Sequence, residues 1–113
     1  MTNQEFAPFS ISCYEDGRFG LILGDFDHCY EIFDEFGYEN GGYGWHGVAE
    51  ALIRLKAPHL AKKINFDPEA SMFAAHAKKR DDIKELAHLL RAAIDDEALL
   101  KTALEKADPE LMD

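Results

Sequence analysis

Apolar and polar residues alternate between Phe6 and Tyr14, with Phe9, Ile11 and Cys13 on one side and Ser10, Ser12 and Tyr14 on the other. A period of two is that of a half-buried strand, and Pro8 marks its start or an edge. Asp16-Gly17 tolerates positive φ, and Phe19 to Leu23 alternates again, so the first unit reads as a β-hairpin. Past Gly24-Asp25 the period lengthens. Tyr30, Ile32, Phe33 and Phe36 fall at helical spacing, which predicts a short helix over 27–36 with Asp25 or Asp27 as its N-cap. From Gly37 to Gly44 there are four glycines and two tyrosines in eight residues, the chemistry of a loop.

Trp45, Val48, Ala49, Leu52 and Ile53 then share one helical face until Ala57-Pro58 interrupts it. His59 to Ile64 suits one further turn. Asn65-Phe66-Asp67-Pro68-Glu69 reads as a turn with Asp67 capping it, leading into a third strand over 71–77. Two apolar stripes close the chain: Ile83, Leu86, Ala87, Leu90 and Ile94, then Leu99, Leu100, Ala103, Leu104 and Ala107. They predict two helices meeting at a tight corner after Asp95-Asp96, with the tail frayed from Asp108. The predicted fold class is α+β, a small antiparallel sheet made of the N-terminal hairpin plus a later strand, packed against about four helices in one domain over 1–113.

At 113 residues with 47% hydrophobic content the chain can bury one core, and nothing marks an internal repeat or linker. Charge changes the picture more. Acidic residues number 22 against 12 lysines and arginines, and from Met1 to Glu50 ten acids face Arg18 alone, a surplus of nine. Such a field repels nucleic acid and anionic lipid and speeds encounters with basic proteins, so the expected partner is cationic. No apolar run approaches the roughly 20 residues that cross a bilayer, and the two cysteines do not make a disulfide scaffold. The start of the chain lacks the basic and apolar regions of a secretion signal, so a cytoplasmic location is expected.

Candidate chemistry is sparse. Asp25-Phe26-Asp27-His28-Cys29 gathers carboxylates, an imidazole and a thiol, but no second ligand pair follows at zinc-site spacing, so no metal is assigned. The plainer reading is a capped helix start with Cys29 turned inward. A Cys29 thiolate paired with His28 or His46 would need positive surroundings, and Asp25, Asp27 and Glu31 oppose it. The glycine-rich segment lacks the Lys-Ser/Thr of a phosphate cradle. No catalytic residue and no cofactor is assigned. Lys78-Lys79-Arg80 reads as a solvated turn without a binding role. In Trp45 we read a core residue, and in Tyr38 and Tyr43 either interface anchors or pins for the loop. Leu99 and Leu100, read as exposed, would equally serve self-association.

Two stretches carry more than local chemistry: Gly37-Tyr38-Glu39-Asn40-Gly41-Gly42-Tyr43-Gly44-Trp45 entering a helix, and Ile64-Asn65-Phe66-Asp67-Pro68-Glu69-Ala70-Ser71-Met72-Phe73 entering a strand. Together they resemble the immunity protein 51 family of bacterial polymorphic toxin systems, whose pattern has a glycine-aromatic loop ending in Tyr-x-Trp and a later Phe-Asp-Pro-Glu-Ala-x-Met-Phe. The chain departs from it at Gly41, Gly44 and Ser71, where Asn, an acid and Gly are expected. The resemblance implies a small cytoplasmic α+β protein, not an enzyme, that binds and neutralises a cognate toxin C-terminal domain. The acidic half agrees with a cationic toxin such as a nuclease. The expected partner-binding residues are Asp25, Asp27, Glu31, Asp34, Glu35, Tyr38, Glu39 and Tyr43, with Trp45, Phe66, Asp67, Pro68, Glu69, Met72 and Phe73 as structural motif residues. The alternative is a small acidic adaptor or regulatory module outside any toxin system.

Overall fold

The computed structural model describes residues 9–24, 30–69 and 71–112. Strands β1 (Ser10–Cys13) and β2 (Phe19–Leu23) form the expected hairpin, with Ile11 opposite Leu21 and Cys13 opposite Phe19. Tyr14 and Arg18 close it through a backbone bond of 2.8 Å around the three residues between them, where Gly17 takes φ 89°. Only a residue free of Cβ strain holds that conformation readily. On the outer face of the hairpin the Tyr14 ring lies so close over Gly20 that a Cβ there would overlap it. Arg18 sits 5.4 Å from the centre of the same ring and 3.2 Å from His76 Nδ1. Its backbone N–H and guanidinium both bond the Asp16 carboxylate and hold that carboxyl below its usual range, the backbone bond first. Cys13, expected on the inner side, is exposed at the strand's end.

The sheet has four strands in the order β1-β2-β4-β3, all antiparallel, where the sequence predicts three. The added strand is β3 (Asn65–Phe66), paired with β4 (Phe73–Ala77) through Asn65 opposite His76 and Phe66 opposite Ala75. The bridge between Glu69 and Met72 keeps that register, so the supposed turn at 65–69 is one arm of a second hairpin. Pro68 disguises it because proline donates nothing to a ladder. Asp67 contributes its backbone N–H, 2.9 Å from Ala74 O, and its side chain is exposed.

Helices α1 (Tyr30–Glu35), α2 (Gly42–Lys56), α3 (Arg80–Asp95) and α4 (Glu97–Lys106) complete the fold. Two of them, α2 and α3, lie against the sheet, and α4 packs on both. The predicted stripes form the core: Trp45, Val48, Ala49 and Leu52 from α2, Ile83, Leu86 and Leu90 from α3, and Leu100 and Leu104 from α4, against Leu21, Leu23 and Phe73 of the sheet. Burying each such side chain stabilises the fold by about 1.5–3 kcal/mol before the entropy of ordering it is set against this. Among the described residues no charged or polar side chain is fully buried. The corner between α3 and α4 is Asp96, whose carboxylate accepts from the N–H groups of Ala98 and Leu99.

Leu100 is fully buried and Leu99 packs on the core, so the exposed pair read from the sequence is not there. At Asp108, where fraying is expected, the carboxylate caps a 3-10 turn over Pro109–Leu111, and Met112 is buried with its sulfur lying where a Cβ at Gly47 would stand. A second 3-10 turn, Pro58–Leu60, follows α2, so the further turn expected after Pro58 is present in that tighter form. No helix is long and apolar enough to cross a membrane. The predicted capping by Asp25 or Asp27 and the inward Cys29 lie outside the described residues.

Candidate functional site

The glycine-aromatic segment is a reversal between two helices. Past the end of α1, Gly37 takes φ 78°, its N–H bonds Asp34 O at 3.0 Å, and Tyr38 N–H reaches back to Phe33 O at 3.0 Å. That nested pair of bonds around a left-handed glycine is a helix C-terminal stop, and it satisfies carbonyls the helix would otherwise leave unpaired. The chain then runs through Glu39 and Asn40 and re-enters a helix at Gly42, three residues earlier than the apolar stripe suggests. Gly41 is extended, and Trp45 N–H bonds its carbonyl at 3.0 Å, the first bond of α2.

Poor helix propensity makes glycines read as loop, but here the backbone's neighbours decide. A Cβ at Gly42 would overlap the carbonyls of Glu69 and Met72, and one at Gly44 would overlap Glu39 O and press on the Phe33 ring. The glycines therefore bring α2 against both its own loop and the second hairpin. Trp45 is fully buried, 5.3 Å from Phe33 and 5.8 Å from Phe9 between ring centres, and its indole N–H donates to Asn40 Oδ1 at 2.9 Å. A further tie joins the two sequence motifs: His46, one turn beyond Tyr43, stacks on Phe66 at 4.6 Å, and Phe66 in turn meets Phe73 at 6.1 Å.

This scaffold presents two adjoining hollows. Asp34, Gly37, Tyr38, Glu39 and Asn40 line one of about 440 Å³. Gly37, Tyr38, Glu39, Tyr43 and Met112 border the other, of about 460 Å³. Of the residues expected from the sequence, Asp34, Tyr38, Glu39 and Tyr43 thus converge, the two acids exposed and the two rings half-buried. Glu31 is exposed on α1 beside them. Glu35 instead pairs with Lys101 at 3.4 Å, and Lys101 also holds Glu97 at 3.1 Å; Glu97 first and Glu35 second raise the lysine's pKa. Asp25 and Asp27 lie outside the described residues. Sequence reasoning misses Asn40, whose role depends on the indole five positions on, and Met112, which arrives from the far end of the chain.

Among the described residues no three His, Cys, Asp or Glu side chains gather as a metal would require. The perturbed imidazole here is His46, whose pKa burial pushes below 6.5 while Glu50 acts against the shift. A histidine held neutral in the fold takes up protons more readily when unfolded, so its contribution to stability is full above its unfolded value and is lost as pH falls toward its folded one. The urea midpoint is therefore expected to fall more between about pH 7.5 and about pH 5.5 in the native chain than in His46→Gln. Equal slopes in the two proteins would contradict the assignment.

Compared with known families, the chain matches the model described as Immunity protein 51 over residues 9–109. No curated protein and no solved structure matches it.

Proposed function

The chain belongs to the immunity protein 51 family, and from that premise we propose that it neutralises a cognate toxin domain by stoichiometric binding through the acidic, aromatic rim around Tyr38 and Tyr43. The observation that carries this reading is the convergence of exposed Asp34 and Glu39 with half-buried Tyr38 and Tyr43 on a loop fixed at both ends. Gly37 sets its entry and the Asn40–Trp45 bond its exit. A pre-ordered loop loses little entropy on binding, and tyrosines supply contact area from few rotatable bonds. The surplus of nine acids in the first fifty residues adds long-range attraction to a cationic surface, such as the substrate cleft of a nuclease. Inhibition then needs no chemistry from this chain, only occupation of its partner, and the chain meets the toxin in the cytoplasm of the cell that makes both.

The test is co-expression with the toxin domain encoded beside this gene, scoring survival and recovering the complex. Survival with a one-to-one complex supports the reading; a toxin that still kills and is not retained moves the adaptor reading ahead. Within a recovered complex, Asp34→Lys with Glu39→Lys is expected to slow association on the order of tenfold at low salt, with a smaller effect at high salt. Stopped-flow association that is unchanged at low salt would remove the acidic rim from the interface.

A further inference from the structure

Away from the acidic rim, four lysines gather at the other end of the sheet. β4 ends at Ala77, and β3 begins beside it because Asn65 pairs with His76. That pairing sets Lys62 and Lys63, from the turn after α2, against Lys78 and Lys79, which lead into α3. These four lysines, with Asn65 and Asp82, line a hollow of about 210 Å³. Four lysines and one aspartate thus border a single hollow in a protein whose net charge is −10.

Four of the chain's twelve lysines and arginines sit in ion pairs: Arg18 with Asp16, Arg54 with Glu50, Arg91 with Asp95 and Lys101 with two glutamates. Among the described residues none of the four lysines has an ion-pair partner within 4.0 Å. Gathering like charges around a concavity is unfavourable unless an anion relieves it. Lys79 is the N-cap of α3, so the start of that helix adjoins the hollow, with Asp82 of its first turn in the lining. The fifteen residues of α2 separate this end from the acidic rim by about 22 Å, more than two Debye lengths at physiological salt, so the rim's field is screened here.

We propose that the hollow is a binding site for compact phosphorylated small molecules, with a phosphoryl group seated among Lys62, Lys63, Lys78 and Lys79. Lysine suits phosphate as a mobile point charge, and four of them match a doubly charged group better than a single carboxylate. Phe19 pairs with Ala77, so the hairpin turn with Glu15 and Asp16 projects from this same end of the sheet, and a strand of nucleic acid leaving the hollow would run onto its carboxylates.

The experiment is a titration of the ¹⁵N-labelled protein with inorganic diphosphate at constant ionic strength, read by amide shifts and repeated with Lys63→Gln/Lys78→Gln. Saturable shifts are expected at 62–65 and 78–82, with affinity about tenfold or more lower in the variant and an unchanged melting temperature. Absent or unsaturable shifts would overturn the proposal, as would equal binding by the variant. A short single-stranded oligonucleotide binding more tightly than diphosphate would also overturn it, and would make this end a nucleic-acid surface.

Discussion

Trp45→Ala is expected to destabilise the fold by about 3–5 kcal/mol, a large share of the roughly 5–15 kcal/mol that holds a domain of this kind together. The indole is fully buried between Phe9 and Phe33, and truncation leaves a cavity that the two flanking rings, on a loop and a separate helix, can close only in part. The melting temperature should fall by about 10–25 °C. Trp45 is the chain's single tryptophan, so circular dichroism rather than intrinsic fluorescence must follow the transition. Trp45→Phe separates packing from hydrogen bonding: it keeps most of the ring and removes the donor to Asn40, and about 1–2 kcal/mol is expected. A loss below about 1 kcal/mol for the alanine variant would mean that the indole is not embedded as described.

Gly42→Ala tests the other joint and predicts a sign opposite to helix propensity. In an exposed helix interior this exchange stabilises by about 1 kcal/mol. At Gly42 the new methyl would overlap the carbonyls of Glu69 and Met72, which are main-chain atoms of a hairpin and cannot rotate away. A destabilisation of about 2–3 kcal/mol is expected, with Gly42→Val worse. Gly24→Ala, where a Cβ meets nothing within 4 Å, serves as the control and should lie within about 0.5 kcal/mol of the native chain. If Gly42→Ala proves neutral or stabilising in urea denaturation, the helix start does not rest on the second hairpin. Because Gly42 adjoins Tyr43, the same variant should also weaken toxin binding without changing a single charge.

Both joints explain what the sequence could and could not tell. Helices α3 and α4 were legible because Ile83, Leu86 and Leu90, then Leu100 and Leu104, repeat at helical spacing with acids at each start, and packing agrees with the pattern. The first hairpin was legible from Asp16-Gly17 and strict alternation. Strand β3 was hidden because Asp67 and Pro68 carry the chemistry of turns while the neighbouring strand supplies the pairing. The first turn of α2 is hidden because Gly42 answers to Glu69 and Met72, twenty-seven and thirty residues on, and Gly44 to Glu39 and Phe33 before it. Leu100 reads as exposed but is buried, because a stripe does not say how wide a face its neighbours cover. For the rim, charge and the glycine-aromatic segment point to Asp25, Asp27, Glu31, Asp34, Glu35, Tyr38, Glu39 and Tyr43 together, and the fold sets Asp34, Tyr38, Glu39 and Tyr43 around two hollows, pairs Glu35 with Lys101 and adds Asn40 and Met112. The lysine hollow joins Lys62 and Lys63 to Lys78 and Lys79 from a distant segment, and alone the run Lys78-Lys79-Arg80 reads as a solvated turn.

The central seam of the sheet has a consequence for how the chain reaches this state. Each hairpin joins near neighbours, whereas β2 meets β4 across more than fifty residues, Phe19 opposite Ala77. Closing so long a loop must be completed before its contacts reward it, so the hairpins and helices can form early while their union sets the rate. Weakening Leu21 or Ala75 in that seam should therefore slow refolding, whereas weakening α4 should chiefly hasten unfolding.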